Sequence, residues 1–107
     1  MIRGSIWWVE FDPAVGSEIQ KTRPAVIVSN DTANKYLARV VVVPLTGNVS
    51  RVYPGEAIVT VKGNTSKAMT DQIMSADKSR LKNKIGELSD DDIISLETAM
   101  KLFLNLL

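Results

Sequence analysis

The chain contains no histidine and no cysteine among its 107 residues. Without histidine it lacks the side chain that ordinarily titrates near neutral pH and the commonest metal ligand, so any catalysis must use arginine, lysine, hydroxyl or carboxylate groups. Without cysteine it has no disulfide framework, no thiolate nucleophile and no cysteine-bound zinc. These two absences reduce the possible enzyme chemistries to a short list.

Long apolar runs and a strong net charge are also missing. No apolar run approaches the roughly 20 residues that span a bilayer, and the N-terminus lacks the apolar core of a signal peptide, so we expect a cytoplasmic protein with no membrane partner. The net charge is +1, so nucleic-acid binding would need local positive potential. The length of 107 residues suits one domain, residues 1–107, that buries roughly two thirds of its unfolded surface.

Short apolar runs between turn residues predict a mainly β fold. The predicted strands span residues 6–11, 25–28, 39–45, 56–62, 66–74 and 85–88. Residues 39–45 are apolar on both faces and are expected to form a central strand, whereas residues 29–37 favour a short helix. The turn-rich loop at residues 47–55 is expected to be mobile. Many short strands without βαβ alternation indicate a small, partly closed antiparallel barrel.

The clearest helix is predicted at the C-terminal end. Ser89 is a favourable N-cap, and three aspartates follow it at the positive end of the helix dipole. An apolar stripe of period 3.6 comprises Ile93, Leu96, Met100, Phe103 and Leu107, and it is widened by Ile94, Leu104 and Leu106. A stripe this wide can cover a sheet and leave apolar surface for a second subunit.

Two polar side chains lie where predicted strands meet loops. Arg23 ends the polar segment 16–23, and Pro24 restricts its backbone towards extended geometry. Its guanidinium could grip a phosphate or could form a surface ion pair with Glu18. Thr46 follows the central strand, where its hydroxyl could donate to a ligand or bond its own backbone in a turn.

Four blocks of residues occur in a characteristic order. They are Gly16-Ser17-Glu18 with Thr22-Arg23-Pro24, then Val43-Pro44-Leu45-Thr46, Asp71-Gln72-Ile73 and Asp77-Lys78-Ser79-Arg80-Leu81. This set resembles the MazF/PemK family of toxin ribonucleases over nearly the whole chain. The resemblance implies an SH3-like barrel with a C-terminal helix, and a homodimer. It further implies cleavage of single-stranded RNA without a metal or cofactor, and a cognate antitoxin whose disordered tail occupies the RNA groove.

The resemblance also implies roles for individual residues. Arg23 would stabilise charge and transfer a proton as the 2′-hydroxyl attacks the phosphate, and Thr46 would donate to a non-bridging oxygen. Glu18 would position the arginine or act on the 2′-hydroxyl. The products would be a 2′,3′-cyclic phosphate and a 5′-hydroxyl.

A second set of residues is expected to contact RNA. Gln72 is predicted to read a base edge from the same strand face as Thr70, and Lys78 and Arg80 to follow the phosphates. The full set comprises Ser17, Tyr53, Thr70, Gln72, Lys78 and Arg80. For Asp71 the resemblance leaves two interpretations open: a catalytic carboxylate, as in some family members, and the favoured one, a buried, hydrogen-bonded structural carboxylate between apolar neighbours.

Two departures from the family pattern limit the catalytic scheme. Ser17 stands where certain relatives have histidine, and Met69 stands where some have arginine. Catalysis would therefore rest on Arg23 and Thr46. Two alternatives remain open: a non-catalytic poison of the CcdB gyrase-inhibitor type on the same fold, and an SH3-like adaptor that binds an extended peptide. The first is disfavoured because the chain does not end in an aromatic residue.

Overall fold

A computed structural model describes residues 1–106 of the chain and shows a mainly β fold with a C-terminal helix. The strands are β1 Ser5–Glu10, β2 Thr22–Ile27, β3 Arg39–Thr46, β4 Ala57–Val61, β5 Asn64–Ala68, β6 Met74–Asp77 and β7 Leu81–Glu87. The helices are α1 Asp31–Tyr36 and α2 Asp90–Phe103, and 3₁₀ turns occupy Thr70–Gln72 and Lys78–Arg80. The predicted fold class is confirmed.

All strand pairs are antiparallel, in the order β4-β5-β3-β2-β1-β7, with β6 also paired to β3. The curled sheet buries apolar side chains on both faces because residues alternate between faces along a strand. Val26 and Val43 lie opposite each other on the face covered by α2, in a cluster that includes Leu96 and Ala99. Ala25 and its neighbours on the other face form a second cluster. The central position predicted for residues 39–45 is confirmed by β3, which pairs with three strands.

The predicted single strand at residues 66–74 is wrong in its middle part. Residues 66–68 belong to β5 and Met74 begins β6, because these two strands pair with different stretches of β3. The outer edge of β3 pairs with β6 over residues 39–42 and with β5 at Leu45 and Thr46. The turn Thr70–Gln72 fills the gap between them, and the Met69 amide donates to the Pro44 carbonyl (2.9 Å). A short turn whose backbone groups bond to a neighbouring strand cannot be predicted from the alternation of apolar and polar residues in its own segment.

Helix α2 begins as predicted. The Ser89 hydroxyl accepts a hydrogen bond from the Asp92 amide (3.1 Å), the ordinary N-cap arrangement. Leu96 and Ala99 are buried, whereas Phe103 is 47% exposed. The last member of the predicted stripe, Leu107, lies outside the described residues. Within residues 1–106, no helix is long and apolar enough to cross a membrane.

Candidate functional site

The site lies where β2 and β3 stop pairing. Their register ends at Ala25 opposite Pro44, and continuing it by two residues brings Arg23 opposite Thr46. Pro24 has no N–H to donate towards β3, so β2 cannot extend the ladder there with a full set of donors; Pro44 directs its carbonyl to the other edge of β3, where it accepts from the Met69 amide. The side chains of Arg23 and Thr46 therefore project from the same sheet face at the edge of an opening between the two strands.

Arg23 is held on one side only. Its backbone pairs with Val9 of β1, and its Nε donates to the Gln20 carbonyl (3.3 Å). The side chain is half-buried, and among residues 1–106 it forms no ion pair, including none with Glu18. Its terminal nitrogens, Nη1 and Nη2, have no protein partner in the described chain, so they are free to grip an anion bidentately.

Thr46 combines a turn role with an available proton. Its Oγ1 accepts a hydrogen bond from the Asn48 amide (3.2 Å), as in the turn interpretation considered above. A hydroxyl that accepts one bond can still donate its own hydrogen. The two interpretations of Thr46 are therefore compatible, because the bond to Asn48 orients the oxygen without using its hydrogen.

A groove of about 420 Å³ lies between the loop formed by residues 12–21, which leads into β2 and Arg23, and the turn Thr70–Gln72. Ser17 and Glu18 line one side, Asp71 and Gln72 line the other, and Arg80 lies at one end. Apolar side chains, including Ile19 and Met74, complete the lining. The groove thus joins an apolar floor to carboxylate, amide and guanidinium groups at its rim, a combination suited to a polar ligand with flat apolar faces.

Glu18 turns back onto its own loop. Its Oε1 accepts a hydrogen bond from the Val15 amide (2.7 Å), and the side chain is otherwise exposed at the groove. This bond fixes the carboxylate near the opening without an ion pair to Arg23. Ser17 is exposed on the same stretch of loop.

The segment from Thr70 to Gln72 differs from the sequence interpretation at all three residues, because it forms a 3₁₀ turn. Thr70 is 1% exposed and its hydroxyl donates to the Gly55 carbonyl, so it offers no polar atom at the surface for RNA. Asp71, interpreted as buried, is exposed and lines the groove. Gln72 does not share a face with Thr70, and its amide bonds the backbone of Ile19 and Ser17.

The two predicted phosphate contacts, Lys78 and Arg80, lie in different places. Arg80 borders the groove, where its Nη1 donates to the carbonyls of Glu10 (2.9 Å) and Asp12 (2.8 Å). Lys78 borders a separate depression beside α1 and the N-terminus. A single basic track through both residues is therefore not present.

Asp77 organises the second 3₁₀ turn, Lys78–Arg80. Its Oδ2 accepts hydrogen bonds from the Ser79 hydroxyl (2.5 Å) and the Ser79 amide (2.9 Å). These bonds, the hydroxyl first, lower the pKa of Asp77 below its usual value, with a smaller contribution from the charges of Arg80 and Arg39. The carboxylate is thus held in its charged form where it caps the turn.

Lys67 and Glu56 form an ion pair that sequence reasoning missed. Lys67 Nζ lies 3.4 Å from Glu56 Oε1, with side chains 12% and 11% exposed, and it donates to the Arg51 carbonyl (3.0 Å). Lys67 also lies directly across the sheet from Thr46 and 5.7 Å from the ring centre of Tyr53. The position of Lys67 opposite Thr46 depends on the pairing of β3 with β5, which the residue pattern within one segment cannot reveal. This pair anchors the loop that carries Tyr53.

No group of three or more aspartate or glutamate side chains stands close enough to hold a metal ion anywhere in residues 1–106.

Comparison with solved structures identifies the class of fold. An endoribonuclease in complex with its cognate antitoxin from a mycobacterial species superposes with a TM-score of 0.84 at 25% identity, covering 100% of this chain and 97% of that one. A crystal structure of MazF from Deinococcus radiodurans gives a TM-score of 0.86 at 23% identity, covering 99% and 97% of the two chains. The fold is that of the MazF toxins.

Comparison of sequences then identifies the family. Endoribonuclease MazF9 of Mycobacterium tuberculosis (strain ATCC 25618 / H37Rv) is 41% identical over 115 aligned positions, covering 99% of this chain and 98% of that protein. The model of the PemK-like, MazF-like toxins of type II toxin-antitoxin systems matches residues 2–104. The chain belongs to this family.

Proposed function

We propose that the protein is a metal-independent endoribonuclease that cleaves single-stranded messenger RNA at a short sequence and acts as the toxin of a toxin-antitoxin pair. The observation that carries this proposal is the placement of Arg23 and Thr46 just beyond the last β2–β3 pair, at positions that face each other if the register is continued, with the Arg23 terminal nitrogens lacking protein partners in the described chain. Family membership and the relative named as an endoribonuclease support it.

The reaction is an internal transesterification. The 2′-hydroxyl oxygen forms a bond to phosphorus and the bond to the 5′-oxygen breaks, leaving a 2′,3′-cyclic phosphate and a 5′-hydroxyl. Arg23 and Thr46 donate to the non-bridging oxygens as negative charge develops there. Glu18 accepts the proton from the 2′-hydroxyl, and the leaving 5′-oxygen takes a proton from solvent water. The Arg23 guanidinium stays charged throughout, so of the two roles that the resemblance implies for it this scheme uses charge stabilisation and leaves proton transfer to Glu18 and solvent.

The partners follow from the same proposal. Single-stranded RNA lies along the groove beside Ser17 and Arg80, with Tyr53 offering a ring for stacking from the next loop. A cognate antitoxin blocks the site, in keeping with the mycobacterial relative that is described in complex with one. The protein acts in the cytoplasm as a homodimer.

The test is incubation of wild-type and Arg23→Ala protein with a long unstructured RNA in EDTA, followed by mapping of the ends. We expect discrete cuts with 5′-hydroxyl ends from wild type and a loss of about 1,000-fold in rate for Arg23→Ala, because a principal stabiliser of transition-state charge is removed. Arg39→Ala is the matched control, since Arg39 is an exposed arginine at the opposite end of β3.

Each outcome decides the proposal. Cleavage by the control at the wild-type rate, with little from Arg23→Ala at an unchanged melting temperature, would support it. RNA left intact by the wild-type protein would overturn it and favour a non-catalytic poison or an adaptor. Equal cleavage by Arg23→Ala would remove Arg23 from the mechanism.

A further inference from the structure

The loop formed by residues 12–21 has few attachments to the rest of the molecule. At its ends, the Phe11 amide donates to the Lys21 carbonyl (2.8 Å) and Arg80 donates to the Asp12 carbonyl (2.8 Å). Between these ends, the bonds of Glu18 to Val15 stay within the loop. For residues 13–20, the hydrogen bonds to other parts of the described chain come from two side chains, Arg23 and Gln72.

Gln72 bonds the loop through both ends of its amide. Its Oε1 accepts from the Ile19 amide (3.1 Å), and its Nε2 donates to the Ser17 carbonyl (3.4 Å). These two partners flank Glu18. The side-chain amide of Gln72 thus accepts one hydrogen bond from the loop backbone and donates another, as a backbone peptide group would in a strand pair.

The turn that carries Gln72 is itself firmly held. The backbone N–H of Gln72 donates to the Met69 carbonyl (3.0 Å), and the backbone N–H of Met69 donates to the Pro44 carbonyl on β3 (2.9 Å). Buried Thr70 ties the same turn to the Gly55 carbonyl. Gln72 therefore joins a loop with few bonds of its own to the central strand of the sheet.

We propose that Gln72 is a positioning residue that latches the 12–21 loop over the groove, instead of a reader of RNA bases. The proposal rests on the ribonuclease function proposed above. The latch holds the backbone on both sides of Glu18 and supports the loop end from which Arg23 emerges. With the latch broken, the loop spends part of its time in open conformations that bind RNA poorly, which weakens apparent affinity in proportion to the lost fraction.

The experiment compares Gln72→Ala and Gln72→Glu with wild type. Glutamate keeps an oxygen that can accept from the Ile19 amide but loses the donor to the Ser17 carbonyl, so it should restore only part of the exchange protection that alanine removes. Gln20→Ala is the matched control, because Gln20 is an exposed glutamine in the same loop whose side chain makes no hydrogen bond within the described residues. Hydrogen exchange at the Ile19 amide is measured without RNA, and kcat, KM and the cleavage map are measured with it.

For Gln72→Ala we expect exchange at Ile19 to be about 10-fold faster and KM to rise about 10-fold at every cleavage site, with kcat and the cleavage map little changed. Gln72→Glu should recover part of the exchange effect, whereas its KM should stay raised because the added negative charge lines the groove proposed for RNA. Exchange at Ile19 unchanged in Gln72→Ala would overturn the latch, and an altered cleavage map with unchanged exchange would establish base reading. If the wild-type protein cuts no RNA, the ribonuclease proposal fails, and the exchange comparison still decides the latch.

Discussion

A proline determines the surroundings of Arg23. Pro24 withholds an N–H donor at the point where β2 would continue its ladder with β3, so the pairing ends there with Arg23 on one strand and Thr46 on the other. Either residue alone had an unremarkable explanation as an ion pair or a turn former. A joint role for Arg23 and Thr46 depends on the register between β2 and β3. That register cannot be deduced from either segment alone.

Asp77 supplies a pH-dependent prediction at the residue scale. Because its pKa is lower in the folded protein than the usual 3.8, its charge stabilises the fold at pH above that value, and the contribution is lost as pH falls through the lowered pKa. We expect Asp77→Asn to melt below wild type at pH 6, with the difference shrinking below pH of about 3.8. Melting temperatures of both proteins over this range check the prediction, and a difference independent of pH would contradict it.

The helices and turns show which elements are predictable from local sequence. Helix α2 and its Ser89 cap were predicted because capping and amphipathic period are encoded within the segment itself. The turn Thr70–Gln72 was not, since Asp71 and Gln72 interrupt a strand pattern for a reason that lies on β3 and in the 12–21 loop. Gln72 was predicted to read a base edge from a strand, and its contacts with the 12–21 loop could be recognised only in the tertiary structure.

The ion pair of Lys67 and Glu56 leads to a prediction for the loop before β4. We expect Lys67→Met to lower the free energy of unfolding by about 3 kcal/mol, because it leaves the largely buried Glu56 carboxylate without its cation. Lys101→Met, at an exposed lysine on α2, should change it by less than about 0.5 kcal/mol. Urea unfolding measures both.

A double-mutant cycle makes this prediction specific to the pair. Combining Lys67→Met with Glu56→Gln should cost less than the sum of the single changes, since the second change removes the carboxylate that the first left unpaired. Strict additivity would show that the two side chains contribute independently.

At the scale of the whole molecule, the end of α2 leaves apolar surface uncovered. Leu102, Leu104 and Leu106 are 63%, 42% and 60% exposed. If this surface belongs to the proposed homodimer, the double substitution Leu102→Glu and Leu106→Glu should produce monomers, because buried charges oppose association. Sedimentation over a dilution series measures the mass, with Val15→Glu, an exposed apolar position in the 12–21 loop, as the matched control. A wild-type protein that remains monomeric at micromolar concentration would contradict the dimer.

The pairing of β1 with β7 determines how late during synthesis the sheet can be completed. Ser5 lies opposite Glu87, and the Leu88 amide donates to the Gly4 carbonyl (2.9 Å), so the first strand lacks one of its two neighbours until the last strand has been synthesised. Such distant pairing makes folding a late event relative to translation. The sheet that contains β2 and β3 is therefore completed only after β7 has left the ribosome, and a chain interrupted before β7 carries Arg23 and Thr46 without the full frame that brings them together.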